Sequence, residues 1–151
     1  MEYPKLSALV SDIRNVAAHT KVGLWRMPVK SIGEETKTAI LLGVQPLDIS
    51  NYFLVNLPSG AEFARLSYSK IIQALDSVAN AKGPKDCVLI YNLDLLLAGV
   101  TVEDRAQVWK TLFNGFPHRP RALLIAVPET AEPLLPSEQL LEKWQAASRL
   151  V

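Results

Sequence analysis

The stretch VGLWRMPVKSIGEETKTAILL, residues 22–42, decides the fold. Val22 to Met27 reads as a short β-strand, and Pro28 to Thr36 is a mostly polar loop with one glycine, Gly33. Lys37 and Thr38 then open an apolar helix, Ala39 to Val44, which Pro46 limits. Upstream, Leu6, Leu9, Val10, Ile13, Val16 and Ala17 recur at helical spacing and predict a first amphipathic helix. Downstream, Tyr52 to Leu57 (YFLVNL) is apolar and β-prone and is closed by Pro58-Ser59-Gly60, so a second strand is expected there. Ile71, Ile72, Leu75, Val78 and Ala79 mark another amphipathic helix, capped by Ser67 or Ser69 and ended by Ala81-Lys82-Gly83-Pro84.

Cys87 to Leu97 (CVLIYNLDLLL) is the most apolar segment, and its first half predicts a buried central strand. Thr101 to Asp104 has the form of a capped helix start, with carboxylates at the positive end of the dipole. That helix presents Ala106, Trp109, Leu112 and Phe113 on one side and stops near Gly115. His118 to Arg121 reads as a loop and Ala122 to Val127 as a fourth buried strand. A link punctuated by Pro128, Pro133 and Pro136 leads to a last helix, which Ser137 can cap and which turns Leu140, Leu141 and Trp144 to the core. Apolar runs without alternation, separated by helices, predict right-handed crossovers in a sheet covered on both faces. The expected fold is α/β and three-layered, with a mostly parallel sheet of about four to five strands.

The 151 residues are most simply one domain, long enough to bury one substantial core. A formal net charge of +1 gives no general bias toward nucleic acid or anionic membrane. The single cysteine, Cys87, excludes an internal disulfide or a thiolate metal cluster. No apolar run approaches the ~20 residues that span a bilayer. The start, MEYPKLSALV, lacks the basic-then-apolar pattern of a signal peptide, and a cytoplasmic protein is expected.

The strand–loop–Lys37-Thr38–helix unit has the layout of a phosphate-binding loop, G-x-x-x-x-G-K-[ST], whose glycines let backbone N–H groups crowd an anion. With Lys37-Thr38 in register, Ser31 and Thr36 occupy the two glycine positions, and Gly33 is out of place. Both replacements resist the positive φ angles that an anion-cradling nest requires. Glu34 and Glu35 fall where phosphate oxygens would sit. At about 5 Å each would repel a unit negative charge by roughly 1–3 kcal/mol. Lys37 offsets one of them, and Lys30 adds attraction from a flexible stem. The alternative reading of the stretch is an ordinary polar loop capping a helix.

A working site would also need a carboxylate ending the third strand, to hold Mg²⁺ and orient water. Here that strand ends in Tyr91-Asn92-Leu93-Asp94, with tyrosine in the carboxylate's place and Asp94 as the nearby acid. Asp94 is thus either the catalytic acid or a strand-end residue. His118, Arg119 and Arg121 cluster before the fourth strand, as phosphate or acidic-partner contacts, an arginine reaching into a neighbour's site, or a solvated turn. His19 has no partner acids at ligand spacing, and no metal site is expected. Trp25, Trp109 and Trp144 lack interleaved basic residues and read as core or interface anchors. No Ser/His/Asp arrangement can be assembled from two histidines, neither of which adjoins a nucleophile turn.

Together these three segments (residues 22–42, the VNL run and VLIYNLDLLL) resemble the P-loop NTPase superfamily, in its RecA/AAA-like branch. At closer range the chain is similar to the small P-loop protein of type 3 bacteriophage exclusion (BREX) systems, over roughly Leu6 to Val127. The resemblance implies that Gly33, Lys37, Thr38 and Asn92 are nucleotide-binding and that Asp94 is the trailing acid. It also implies ATP or GTP with Mg²⁺ as the ligand of an intact member, and a role in antiphage defence beside partner subunits. Ser31, Thr36 and Tyr91 depart from the family pattern and impair phosphate cradle and metal site together.

Three functions follow as expectations. The first is a non-catalytic, degenerate P-loop-like subunit, without cofactor, that binds other proteins. A second is an active ATPase or GTPase completed by oligomerisation, with Arg119 or Arg121 supplied by a neighbour. The third is a DNA-associated accessory protein, for which Lys82, Lys85, His118, Arg119 and Arg121 would share one edge of the sheet.

Overall fold

The computed structural model describes residues 3–15, 21–56, 66–114, 116 and 119–151. Four strands, β1 (Val22–Met27), β2 (Gln45–Asp48), β3 (Cys87–Tyr91) and β4 (Ala122–Pro128), pair in the order β1-β4-β3-β2. Every pairing is parallel, with Gly23 opposite Leu124, Val88 opposite Leu123 and Leu47 opposite Ile90. Seven α-helices are present among the described residues: α1 (Pro4–Arg14), α2 (Glu35–Leu42), α3 (Ile49–Val55), α4 (Tyr68–Asn80), α5 (Leu93–Leu97), α6 (Val102–Asn114) and α7 (Glu138–Ala146).

Strand alternation divides these helices into two layers. Leu123, Ile125 and Val127 of β4 join Ile71 and Leu75 of α4, Leu97 of α5, Trp109 of α6 and Trp144 of α7 in one core. On the opposite face Ala122, Leu124 and Ala126 meet Leu6, Leu9, Val10 and Ile13 of α1 and Ala39 of α2. Because both faces are covered, β3 and β4 are apolar at every position, as a buried parallel sheet requires. The α/β, three-layer expectation holds, and the sheet is wholly parallel with four strands.

Past the last helix the chain returns to the outer edge of β1. Leu24 bridges Leu150 in parallel, and the amides of Leu24 and Arg26 donate to the carbonyls of Arg149 (2.8 Å) and Val151 (2.8 Å). An edge that would otherwise expose unpaired backbone is thereby closed.

The helix caps follow sequence chemistry. Ser67 accepts from the Lys70 amide, Ser137 from Leu140, and Thr101 Oγ1 from Asp104 (3.1 Å). The second strand departs from expectation. Tyr52 to Val55 lies in α3, not in a strand, and the β2 strand is the preceding Gln-Pro-Leu-Asp segment. Pro46 is tolerated there because β2 is an edge strand. Asp48 then starts the helix, its Oδ1 accepting from the amides of Ser50 (3.1 Å) and Asn51 (3.2 Å) and from the Ser50 hydroxyl (2.8 Å). The predicted turn Pro58-Ser59-Gly60, together with Val16, Ala17, His19, Gly115 and His118, lies outside the described residues.

Candidate functional site

In a parallel α/β sheet, ligands bind beyond the carboxyl ends of the strands, where successive connections leave to opposite faces. Here β1 connects through α2 on one face, while its neighbour β4 connects through α7 on the other. The loop of residues 28–34 leaves β1 at that switch point, and Asp48, Tyr91 and Asn92 end β2 and β3 on the same side of the sheet.

The backbone of this loop is closed on itself. Residues Val29–Ser31 form a turn of 3-10 helix, and the amides of Ser31, Ile32 and Glu34 donate to the carbonyls of Pro28 (2.9 Å), Val29 (3.1 Å) and Ser31 (3.0 Å). Gly33 takes the one left-handed conformation, φ 86°, and its amide donates to Glu35 Oε2 at 2.9 Å. A carboxylate of the chain itself therefore holds the amide that a phosphate oxygen would otherwise take. Ser31 is buried, and its hydroxyl shares a 3.0 Å hydrogen bond with Tyr3, whose ring packs edge-on against Trp25. The first glycine position of the phosphate-loop pattern is thus a pinned, inward-facing serine.

The helix begins at Glu35 rather than at Lys37, which puts Lys37 and Thr38 inside its first turns. Thr38 is buried, and its hydroxyl donates to the Glu34 carbonyl at 3.1 Å, a local bond that turns it away from any metal. Lys37 is exposed on the same helix. Burial raises the Tyr91 phenol above the ordinary value, and the charges of Asp48 and Glu35 push in the same direction. The Thr36 side chain at the start of α2 acts on that phenol in the opposite sense and favours its ionised form.

Asn92 and Asp94 come to this same end of the sheet. Asn92 adopts the left-handed conformation, φ 66°, as the residue that opens α5, and its side chain helps to hold the Asp48 carboxyl below its ordinary value. Asp94 is half-buried in the first turn of α5, the helix that directly follows the end of β3. Burial raises its carboxyl above the usual range, its own backbone amide opposes that, and Glu35 raises it further. Burial would raise Asp48 as well, but hydrogen bonds from Ser50, Asn51 and Asn92 outweigh it and leave the group lowered. Sequence reasoning did not single out Asp48 as part of this cluster; the Asp-x-Ser-Asn spacing of a helix cap was the available signal.

The two acids have opposite linkage to pH. Asp94, raised on folding, opposes stability at neutral pH, and that penalty is relieved as pH falls through its folded value toward 3.8, the ordinary value. Asp48, lowered on folding, contributes stability above the ordinary value of 3.8 and loses it as pH falls through its folded value. In urea unfolding at pH 7, Asp48→Ala is expected to lose about 1 kcal/mol as a removed cap. Asp94→Asn is expected to match or exceed the native chain in stability at pH 7, an advantage that shrinks by pH 4.

Arg119 and Arg121 sit at the other end of the sheet, before β4 begins. Arg119 pairs with Asp76 at 2.6 Å and lies over the Phe116 ring. Arg121 is buried, donating to the Val78 carbonyl and to the Gln45 side chain. Within the chain, neither arginine is beside the loop of residues 28–34 or Asp94. Burial pushes the Cys87 thiol up to about 12, so it stays protonated and inert. No group of acids, histidines and cysteine suited to a metal ion is found among the described residues. No helix among them is long and apolar enough to cross a membrane. No protein-family model matches the chain, and no curated protein or solved structure matches it.

Proposed function

We propose that the chain is a non-catalytic, P-loop-like subunit that works by binding other proteins. The observation that carries this reading is the closed loop: the amides of residues 31–34 are all satisfied within the chain, one of them by Glu35. A triphosphate would have to break those bonds, displace a carboxylate, and do so without the buried Thr38 hydroxyl. Protein contact is supported at the β2 edge. Ile40 and Leu41 of α2 are 72% and 61% exposed, and Leu54 and Val55 of α3 are 65% and 73% exposed. Both helices pack on β2, the last strand of the sheet, so large apolar side chains flank from two sides an edge that no other described strand pairs. On the resemblance to the phage-exclusion protein, the partners are other subunits of a defence assembly.

The test is co-purification of the tagged chain from its own cells, with the Ile40→Asp/Leu41→Asp variant in parallel. A stoichiometric partner retained by the native chain and lost by the variant, with the thermal midpoint unchanged, is the expected result. Equal recovery with both chains removes the β2 edge as the contact. Mg²⁺-dependent nucleotide turnover, lost in Lys37→Ala, overturns the non-catalytic half.

A further inference from the structure

At the amino ends of β3 and β4, opposite the loop just described, lies an open cavity of about 780 Å³. Arg14, Lys82, Lys85 and Arg121 line it, with Asp86 as the carboxylate among its described lining residues. Arg14 engages that carboxylate, at 2.8 Å through Nε and 2.5 Å through its terminal nitrogen. Lys82, Lys85 and Arg121 are left facing the cavity with no acid paired to them among the described residues.

Arg121 is the decisive residue. It is only 6% exposed, and its two recorded side-chain partners, the Val78 carbonyl and the Gln45 amide oxygen, are both neutral. Its Nε is buried with no partner among the described residues. The C-terminal end of α4, which supplies Val78, offers partial charge only. Burying a guanidinium with neutral acceptors and an orphaned N–H is unfavourable unless something else supplies the charge. The backbone leaves room for this arrangement: a Cβ on Gly83 would lie 3.0 Å from the guanidinium carbon. Lys82 and Lys85 flank that glycine and are exposed at the rim.

We propose that this cavity binds a phosphate group, with Arg121 as the buried counter-charge at its base and Lys82 and Lys85 closing over the oxygens. A phosphate dianion offers enough acceptors for a guanidinium and two ammonium groups at once. The group can belong to a free phosphate compound or to a nucleic-acid backbone. The experiment titrates the full chain with inorganic pyrophosphate in one arm and a short DNA duplex in the other. Each arm is repeated with Lys82→Ala/Lys85→Ala and with Gly83→Ala.

Saturable binding is expected in at least one arm, weakened about tenfold or more in the double-lysine variant, whose exposed positions leave folding intact. Gly83→Ala, whose Cβ would crowd the guanidinium at 3.0 Å and shift it by a few tenths of an ångström, is expected to weaken the same arm. Pyrophosphate binding alone identifies a small phosphate compound as the source; duplex binding that falls steeply with salt identifies a nucleic-acid backbone. No binding in either arm overturns the proposal. So does binding that persists in the double-lysine variant, or that is lost in Lys37→Ala, since the anion would then sit at the other end of the sheet.

Discussion

Arg149→Ala is expected to destabilise the protein by about 3 kcal/mol, because three carbonyls lose a donor and two rings lose the group stacked on them. Arg149 is 7% exposed. Its guanidinium donates to the carbonyls of Val22 (2.8 Å), Phe113 (3.1 Å) and Leu112 (3.3 Å) and stacks over the rings of Phe113 and Trp144. One side chain thus ties the start of β1, the last turn of α6 and the C-terminal segment that covers the β1 edge. Burial lowers its pKa to about 10, which leaves it protonated at neutral pH. Two of its acceptors lie at the C-terminal end of α6, where a cation is favoured. Arg149→Lys keeps the charge but not the planar fork, so it recovers a minority of the loss. Urea unfolding at pH 7 measures both; a loss under about 1 kcal/mol for the alanine variant would refute this role.

Trp109→Ala is the second large effect, at about 3–5 kcal/mol for a deleted core indole. Trp109 is 1% exposed, meets Trp144 edge-on at 6.4 Å, and donates its Nε1–H to the Leu134 carbonyl at 2.9 Å. That bond anchors the Glu132–Leu134 turn to α6, between β4 and α7. Trp144 is as deeply buried, yet its Nε1 has no partner among the described residues. The two tryptophans therefore separate packing from hydrogen bonding. Trp109→Phe strands the Leu134 carbonyl, whereas Trp144→Phe removes an N–H that was already unsatisfied. The first is expected to lose about 1 kcal/mol more than the second, and the reverse order in chemical unfolding would contradict the bonding described.

Sequence periodicity made β1, β3, β4 and the long helices legible because each is a continuous apolar or amphipathic run, and Ser67, Thr101 and Ser137 marked the starts of three of the helices. The second strand was not legible. YFLVNL is short and apolar, and such a run reads equally as a strand or as a buried helical turn. What decided it was Asp48, whose carboxylate takes the Ser50 and Asn51 amides and commits the next residues to a helix. Pro46 read as a helix stop and lies in an edge strand, where its missing N–H is tolerated. At the site, the unsuitability of Ser31 and Thr36 for a phosphate nest followed from composition alone. The means of closure did not: that Glu35 would take the Gly33 amide depends on where α2 begins. Arg149 was invisible because its partners are backbone carbonyls far away in sequence, and nothing in residue type marks a carbonyl as needing a donor.

The central claim is that the amides of residues 31–34, held by bonds within the chain, are not given up to a triphosphate. It is tested most directly by nitrogen–proton correlation spectra of the labelled chain, recorded as Mg²⁺ with ATP, then with GTP, is added to large excess. The resonances of residues 31–38 are expected to stay in place through the titration. Saturable shifts at Gly33 and Lys37, abolished by Lys37→Ala, would contradict the account.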